Sequence, residues 1–370
     1  MNLRIAGMGW LTPLGRGIDP VWDRLLRGEQ ASAQKISDPV SDKTYSAFRV
    51  PDDALQNLPS HPRLRRASAI SRFAAAAGLD ALAQASNHQV DMDRMALIFA
   101  VSNGGVVYTK RFYHNIVETG AQSASPLLFP ETVFNAPASH LAAILGITGT
   151  SYTLVGDGAV GVLAIKMAAD LLHNEALDFC LVVSAEEADW LLYDAYQKWR
   201  LLKKKSPIEV FRNPPRGTIL SEGAGALLLG REGEVRIEAV DAGGNFSHRR
   251  EANKMVQRIL HDLADEDACI VASANGTFVD LAEREAIKNE LPQATVYTPK
   301  PALGESVGAS AIWQIIAGAQ ALRTKRLPPM VNSDPHVGLS LPTTDEISCR
   351  TAIVLSCGLN QQVAGLRLRI

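Results

Sequence analysis

The chain has 370 residues, of which 46% are hydrophobic and 21% are charged, and its formal net charge is -2. This composition is typical of a folded soluble protein, and the small charge provides no overall field that would attract nucleic acid or a membrane surface. No apolar run approaches the roughly 18 residues of a membrane span, and the first residues carry no secretion signal. We therefore expect a cytoplasmic protein with no membrane or nucleic-acid partner.

The four cysteines are Cys180, Cys269, Cys349 and Cys357. None lies in a C-x-x-C pair, and none has a spacing to histidine that is typical of zinc. Cys180 and Cys269 lie inside apolar runs that predict buried strands, where a cysteine is usually a small core residue. We expect neither a metal nor another cofactor.

Strands and helices alternate along the chain. The predicted helices include 21–28, closed by a glycine, and an Ala-rich stretch at 65–85. Uniformly apolar runs favour strands buried on both faces, and these lie at 3–10, 95–105, 178–188, 223–230, 268–276 and 350–358. The alternation predicts an α/β class with layers of helix and sheet.

Two helical segments, 159–174 and 305–322, are apolar on more than one face. Such helices must be buried on most sides. One in each half of the chain suggests a duplicated unit whose central helices pack together between sheets. We place the division at a charged turn, giving an N-terminal half of 1–232 and a C-terminal half of 233–370.

The segment 197–217 is basic and contains three prolines, which predicts an exposed loop. Its lysines, Lys203, Lys204 and Lys205, are either a solvated surface or an electrostatic docking patch for an acidic partner. The residues do not decide between these alternatives.

Several motifs occur in a characteristic order: G-M-G-W-L-T-P-L-G at 7–15, the stretch 125–165, L-S-E-G-A-G at 220–225, S-A-N-G-T at 273–277, K-P-A-L-G-E at 300–305 and S-C-G-L-N at 356–360. In these motifs the chain resembles the β-ketoacyl-acyl-carrier-protein synthase (ketosynthase) family. The resemblance implies the thiolase-like layered αβαβα fold built from two similar halves, usually as a dimer.

The resemblance also identifies the positions of the family's chemistry. A cysteine at the start of the first buried helix accepts the acyl group, and two histidines assist the condensation. Here the cysteine position is Gly158, the H-G-T histidine position is Asn275, and the histidine that follows K-x-x-x-G is Glu305, with Lys300 retained. Glycine offers no nucleophile, and asparagine cannot cycle a proton at neutral pH. We expect no catalytic residue at these positions.

Two further positions depart from the family pattern. Gln314 stands where the family has a glutamate in the second buried helix. The G-F-G-G gate loop reads Gly358-Leu359-Asn360-Gln361, so that Leu359 replaces the gate phenylalanine.

Three losses in three separately anchored motifs lead to the main hypothesis. The resemblance implies a catalytically inactive subunit of the chain-length-factor kind. It pairs with an active ketosynthase homologue, works with an acyl carrier protein, and shapes the acyl tunnel in type II polyketide, aryl-polyene or fatty-acid-like synthesis. The strand 149–156 would meet its counterpart across the dimer axis. Phe129 and Phe134 would then lie near the partner's tunnel, although core packing is the simpler interpretation of each.

Two alternatives stay open. A homodimeric enzyme with altered chemistry would use Glu305, Asn275 and Lys300 as convergent acid and base groups, whereas a buried Lys300–Glu305 ion pair is the plainer interpretation. The second alternative is a homodimeric module that binds acyl chains or carrier proteins. His114, His140 and His173 match no catalytic motif and are expected to be surface or packing residues.

Overall fold

The computed structural model describes residues 3–39, 41–86, 88–173, 176–334, 336–342 and 346–370. The strands within them are β1 Leu3–Thr12, β2 Gly15–Arg16, β3 Ala33–Ser37, β4 Thr44–Phe48, β5 Met95–Val101, β6 Ser151–Val155, β7 Phe179–Glu186, β8 Gly223–Gly230, β9 Val235–Asn245, β10 Ala268–Val271, β11 Val296–Tyr297, β12 Thr351–Cys357 and β13 Gln362–Arg369. The α-helices are α1 Ile18–Leu26, α2 Ala69–Gln84, α3 Val106–Thr119, α4 Ala136–Leu145, α5 Val160–Leu171, α6 Trp190–Lys198, α7 Ala252–Leu263, α8 Phe278–Glu290, α9 Lys300–Leu303 and α10 Ser310–Thr324.

One large mixed sheet organises the molecule. Its strand order is β11-β10-β12-β13-β9-β1-β8-β7-β5-β6, with β2 paired to β1, while β3 and β4 form a separate hairpin. Every residue of β5, β7, β8 and β12 is buried, as their apolar runs predict for strands covered on both faces. The sheet therefore has β11 at one edge and β6 at the other.

The helices form three layers around this sheet. Helices α5 and α10 contact each other and strands from both ends of the sheet, so they occupy the centre. Helix α2 covers β1, β7 and β8 on one outer face, and α7 covers β9, β12 and β13 on the other. The layered αβαβα arrangement expected from the sequence is confirmed.

Small residues allow the two central helices to approach closely. A Cβ atom added at Gly161 of α5 would lie 2.9 Å from the Cβ of Ala311 on α10. Trp313 of α10 is buried, and its indole Nε1 donates to the carbonyl of Ala224 on β8 at 2.9 Å. The starts of α5 and α10 are thereby fixed against each other and against the sheet.

The second central helix begins later than the sequence predicts. It was expected from residue 305, but α10 begins at Ser310. Val307 has a φ of 44°, a left-handed conformation that a β-branched residue rarely adopts. The Glu305 carboxylate accepts from the Val307 N–H at 2.9 Å, and this contact belongs to a turn. Residues 305–309 therefore form a turn that presents Glu305.

The basic segment is also less exposed than expected. Ile208, Val210 and Phe211 are buried, and the Phe211 N–H donates to the Asp280 carboxylate at 2.6 Å. The Gly217 N–H donates to the Gly276 carbonyl at 2.7 Å. The segment therefore packs against α8 and the connection that follows β10, and it does not stand free as a loop.

Among the described residues, none of the helices combines the length and the apolar character needed to traverse a bilayer.

Candidate functional site

Gly158 lies in the turn that leads into α5 and is buried. Its carbonyl accepts from the Ser356 hydroxyl at 2.9 Å, which ties the turn to the end of β12. A Cβ added at Gly158 would lie 3.1 Å from the Cα of Gly358. The expected nucleophile position thus has no side chain, and a larger residue there would press on the backbone that follows β12.

Asp157, which the sequence analysis did not single out, closes this end of α5. Its Oδ2 atom accepts from the backbone N–H groups of Asn360 at 2.9 Å, Gln361 at 3.0 Å and Gln362 at 3.4 Å. Consecutive N–H groups that converge on one carboxylate form an anion-binding nest. The only sequence signal was an acidic residue directly before the expected nucleophile position.

The predicted gate position, Leu359, lies at the turn of this loop and is buried. The Gly358 N–H donates to the Gln362 carbonyl at 2.7 Å, so residues 358–362 form a tight connection between β12 and β13. We call these residues the gate loop. Asp157 and the buried Leu359 hold the gate loop against the start of α5.

Lys300, Glu305 and Asn275 meet in one buried cluster. The Lys300 Nζ lies 2.7 Å from the Glu305 Oε2, and both side chains are almost fully buried. The Asn275 Nδ2 donates to the same Oε2 at 2.6 Å. The ion pair that the sequence suggested is therefore present, and the structure brings all three residues together.

The other carboxylate oxygen of Glu305 is also occupied. Its Oε1 accepts from the Val307 N–H at 2.9 Å and from the Ser310 hydroxyl at 2.7 Å. Each oxygen thus accepts two hydrogen bonds. Of these four bonds, the one from Lys300 to Oε2 comes from a buried cation. A carboxylate satisfied in this way cannot take a proton from a substrate without first breaking the pair.

The Asn275 amide is held at both ends as well, since its oxygen also accepts hydrogen bonds. Its Oδ1 accepts from the Thr277 N–H at 3.2 Å and the Thr277 hydroxyl at 2.7 Å. Its own backbone N–H donates to the Asp280 carboxylate at 2.7 Å. Burial raises the pKa of Asp280 to about 6, although these backbone hydrogen bonds oppose the shift.

Gln314 lies one turn into α10 and joins two strands. Its Nε2 donates to the Ala272 carbonyl at 2.8 Å and to the Leu355 carbonyl at 2.7 Å. These carbonyls lie just after β10 and on β12, so the amide acts as a bridge between strand ends. The structure gives Gln314 a structural role beside the cluster.

A second acidic group lies on the other side of the α5 start, and the sequence analysis missed it. Glu186, at the end of β7, accepts from the Ser102 N–H at 2.6 Å and from the backbone and side-chain N–H groups of Asn103. Burial raises the pKa of Glu186 to about 8. Burial and the charges of Asp157, Glu186 and Glu305 raise the pKa of the Tyr196 phenol. Nothing in the local sequence indicates that Glu186 is buried in the core.

One thiol lies near this region, but it is not placed as a nucleophile. Cys357 ends β12 and is buried, and burial raises its pKa far above the usual range. Its thiol therefore stays protonated at neutral pH. Within the described ranges, no histidine forms a hydrogen bond with Gly158, Asn275 or Glu305, and no cluster of three or more metal-ligating side chains occurs.

The three histidines that matched no motif lie elsewhere. His140 pairs with the Glu131 carboxylate in a largely buried contact, His173 contacts the Ala169 carbonyl at 2.6 Å, and His114 is exposed. Their expected packing and surface roles agree with these positions.

Phe129 and Phe134 are not core residues, so the simpler interpretation of each is wrong. They are 56% and 46% exposed. Phe129 contacts Phe112, with ring centroids 5.8 Å apart, and the described residues of the same segment add further exposed apolar side chains: Tyr113, Val117, Leu127 and Val133. The result is an apolar surface on residues 106–134.

The sheet has an open edge at β6, and Phe134 of this surface lies against Gly104, just after the neighbouring strand β5. β6 pairs only with β5 within the described chain, and its Tyr152 and Val155 are 43% and 54% exposed. We call β6 together with the exposed apolar residues of 106–134 the edge face. Unpaired strand edges and apolar patches of this kind mark association surfaces.

The three lysines of the basic segment differ from one another. Lys203 is half-buried and its Nζ contacts the Glu209 carboxylate. Lys204 and Lys205 are exposed. Only the latter two present their charges fully to solvent, so the expected docking patch is smaller than three lysines.

Two family models match successive parts of the chain. Residues 2–234 match "Beta-ketoacyl synthase, N-terminal domain", and residues 238–334 match "Beta-ketoacyl synthase, C-terminal domain". Among curated relatives, the 3-oxoacyl-[acyl-carrier-protein] synthase 2 of Vibrio cholerae serotype O1 is 24% identical over 93% of this chain and 92% of its own. The enzyme of the same name from Staphylococcus aureus is 22% identical over 91% of this chain and 92% of its own.

Solved structures share the fold at low identity. The ishigamide ketosynthase/chain length factor matches with a TM-score of 0.86 and 20% identity, covering 99% of this chain and 98% of that one. The complex of the ketosynthase ApeO with its chain length factor ApeC from Xenorhabdus doucetiae matches with a TM-score of 0.82 and 18% identity, covering 100% and 98%. With the family models spanning most of the sequence, the chain belongs to the β-ketoacyl synthase family.

Proposed function

We propose that this chain is a non-catalytic ketosynthase-like subunit of the chain-length-factor kind. It pairs through the edge face with an active β-ketoacyl synthase, and the pair receives its substrates from an acyl carrier protein. The product class is an extended acyl chain of the polyketide, aryl-polyene or fatty-acid type.

One observation carries the proposal. Where condensation requires a thiol and two imidazoles, the chain has Gly158, Asn275 and Glu305. The Glu305 carboxylate already accepts four hydrogen bonds, from Lys300, Asn275, Val307 and Ser310. A glycine in place of the nucleophile, and a Glu305 carboxylate already occupied by Lys300, support a subunit that does not form carbon–carbon bonds itself.

The edge face supports pairing. An open strand edge leaves backbone N–H and C=O groups that a second strand would satisfy, and the exposed side chains of Phe129, Phe134 and Tyr152 would be removed from water in the same step. With a ketosynthase as the partner, Phe129 and Phe134 would face its acyl tunnel and limit the length of the chain.

Altered chemistry by Glu305, Asn275 and Lys300 is disfavoured by the same geometry. For Glu305 to act as a base, the buried Lys300 ammonium would have to lose its counter-ion, which is strongly unfavourable. The Asn275 amide is also held in place, because its Nδ2 donates to Glu305 and its Oδ1 accepts from Thr277.

Carrier-protein docking would use the basic segment. Lys204 and Lys205 are exposed, so docking of an acidic carrier protein there would be salt-dependent. Lys203 contributes less because Glu209 neutralises it.

The first test uses the purified chain alone with an acyl-carrier-protein thioester. We expect no covalent acyl adduct by intact-mass spectrometry and no condensation with malonyl thioester. Gly158→Cys is expected to remain inactive, because Asn275 and Glu305 are unchanged and the new Cβ contacts Gly358. Turnover by the wild-type chain would instead support the altered enzyme.

The second test co-expresses the chain with the ketosynthase of its own organism. We expect a 1:1 complex by native mass spectrometry, and Phe129→Ala with Phe134→Ala should lengthen the product made by that complex. Leu191→Ala, at an exposed site on α6, is the matched control and should leave product length unchanged. Two separate homodimers, or a homodimer that binds acyl carrier protein without a ketosynthase, would contradict the pairing.

A further inference from the structure

Two cysteines meet at the end of the sheet that lies opposite the edge face. Cys269 lies on β10, and Cys349 lies in the irregular segment just before β12. Both line one surface cavity, together with Asp267 and Glu346. Neither takes part in the cluster around Glu305, so their function is a separate question.

The two thiols are adjacent although 80 positions separate them in sequence. β10 and β12 are parallel neighbours in which Cys269 is the partner of Ala352, so the chain passes Cys269 shortly after residue 349. The side chains of Cys269 and Cys349 are hydrogen-bonded to each other. Forming a disulfide requires the two sulfurs to approach to the S–S bond length of about 2.05 Å.

The surroundings allow that approach from one side. Cys269 is fully buried in a strand that has neighbours on both edges, β11 and β12, and is held in place. Cys349 is half-buried in a segment without regular structure, tied to the end of α10 by the Ile347 N–H to Lys325 carbonyl bond at 3.0 Å and by the Lys325 Nζ to Cys349 carbonyl bond at 3.3 Å. Bringing the two sulfurs together therefore moves the segment that carries Cys349, while Cys269 stays in place.

The same environment differentiates the two thiols chemically. The hydrogen bond with Cys269 and the charge of Lys325 lower the pKa of Cys349, against the opposing effects of burial and Asp267. The hydrogen bond with Cys349 and burial raise the pKa of Cys269 well above its usual range. The accessible thiol is thus the more acidic one, as in attacking and resolving cysteine pairs.

We propose that Cys349 and Cys269 form a dithiol that a peroxide converts to an intramolecular disulfide. The Cys349 thiolate attacks one peroxide oxygen and breaks the O–O bond, giving a sulfenic acid and hydroxide. The Cys269 sulfur then attacks the Cys349 sulfur, forms the S–S bond and releases the sulfenic oxygen as water. In total, two thiols and one hydrogen peroxide give one disulfide and two waters.

The bond would constrain the part of the chain that carries the site. The loop between Cys269 and Cys349 contains Asn275, Lys300, Glu305 and α10. A cross-link that closes so long a loop reduces the freedom of the unfolded chain and raises the unfolding midpoint. The proposal does not depend on the pairing function, because it concerns the sheet end remote from β6.

The test treats the full-length purified chain with hydrogen peroxide, alkylates the remaining thiols and maps them by peptide mass spectrometry. We expect a peptide cross-linked through Cys269 and Cys349, two fewer alkylated thiols, and an unfolding midpoint raised by a few degrees that a reductant reverses. Cys180 and Cys357, which are buried apart, should stay alkylatable after denaturation.

Variants separate the two roles. Cys349→Ser should abolish the cross-link, whereas Cys269→Ser should leave a sulfenic acid on Cys349 that dimedone traps. Cys180→Ser, another buried strand cysteine, is the matched control and should cross-link like the wild type. The wild-type measurement suffices if Cys269→Ser fails to fold: full alkylation of both thiols after peroxide, or a stable sulfenic acid on wild-type Cys349, would overturn the proposal.

Discussion

The start of α5 and the edge face contrast sharply. Around α5, Asp157 and Glu305 have their hydrogen bonds satisfied inside the protein. On the edge face, β6 has an open side, and large apolar side chains such as Phe129 lie in solvent. Unsatisfied groups show where a protein expects a ligand or a partner. In this chain the uncovered apolar side chains lie on the edge face, whereas the Asp157 and Glu305 carboxylates already accept hydrogen bonds from the protein itself.

The largest expected effect tests whether the pocket is a closed structural unit. Glu305→Ala leaves the Lys300 ammonium buried without its counter-ion, so we expect the free energy of unfolding to fall by about 3–5 kcal/mol. Urea denaturation measures this loss. Lys300→Met combined with Glu305→Gln should recover much of it, because the pair is then removed as a whole.

A surface ion pair provides the control for that experiment. Glu29 contacts Arg24 and Arg27 in solvent, and Glu29→Ala should lower the free energy of unfolding far less than Glu305→Ala, because solvent screens an exposed ion pair. A comparably small loss for Glu305→Ala would mean that the cluster is not closed and that water enters it readily.

The next effect concerns the edge face. Tyr152→Asp combined with Val155→Asp places two carboxylates on the open strand, and burying them on association is costly. We expect the association of this chain with its ketosynthase partner to weaken by at least about 100-fold, or about 2.8 kcal/mol. Sedimentation velocity of the mixed proteins measures this. Leu191→Asp is the matched control, because Leu191 is 44% exposed and Tyr152 is 43% exposed. Equal weakening by both variants would show that the edge face is not the association surface.

A third prediction uses pH to examine the buried acid beside α5. The pKa of Glu186 is raised to about 8 in the folded chain, whereas an unfolded glutamate titrates near about 4.3. Between these values the folded state keeps a proton that the unfolded state has lost, so the stability contributed by Glu186 declines as the pH rises. The loss of one proton changes the free energy of unfolding by about 1.36 kcal/mol per pH unit. Between about pH 6 and about pH 7.5, the free energy of unfolding of Glu186→Gln should therefore fall by about 2 kcal/mol less than that of the wild type.

The measurement for Glu186 is denaturant unfolding across that pH range. Glu187, whose pKa burial raises to about 7, contributes a decline of the same sign that stays in the variant. The exposed Glu118→Gln is the control and should match the wild type. An undiminished decline in Glu186→Gln would mean that Glu186 is ionised in the folded protein.

The smallest expected effect is local. Asp157→Ala removes the acceptor for the N–H groups of residues 360–362, so hydrogen exchange at these amides should accelerate by about tenfold, which corresponds to about 1.4 kcal/mol. Asp170→Ala, at the exposed far end of α5, should leave them unchanged. Unaltered exchange in Asp157→Ala would indicate that other contacts hold the gate loop.

Much of this arrangement follows from local sequence. Uniform apolar runs predicted β5, β7, β8 and β12, and glycine and alanine at 161 and 311 agree with two closely packed central helices. The motif order placed Asn275, Lys300 and Glu305 in one pocket. These signals succeed because burial on both faces and close helix packing restrict the residue types directly.

The remaining features depend on contacts between distant parts of the chain. Asp157 binds a loop that follows it by some 200 positions, and Glu186 binds backbone groups at residues 102 and 103. α10 starts at Ser310 because Glu305 and Val307 form a turn that helix propensity does not reveal. Phe129 and Phe134 are of a residue type common in cores, and only the fold shows that the described chain leaves about half of each side chain exposed.

The Lys300–Glu305 pair has a consequence for the history of the chain. Replacing Glu305 by histidine would leave a buried ammonium beside a neutral or positively charged ring, so the first step towards restored catalysis would make the protein less stable. Recovering the chemistry would require a thiol at 158, imidazoles at 275 and 305 and a displaced gate loop, with little benefit before all are present. Under the proposed function, a lost activity would therefore be difficult to regain, and selection would act mainly on the surface.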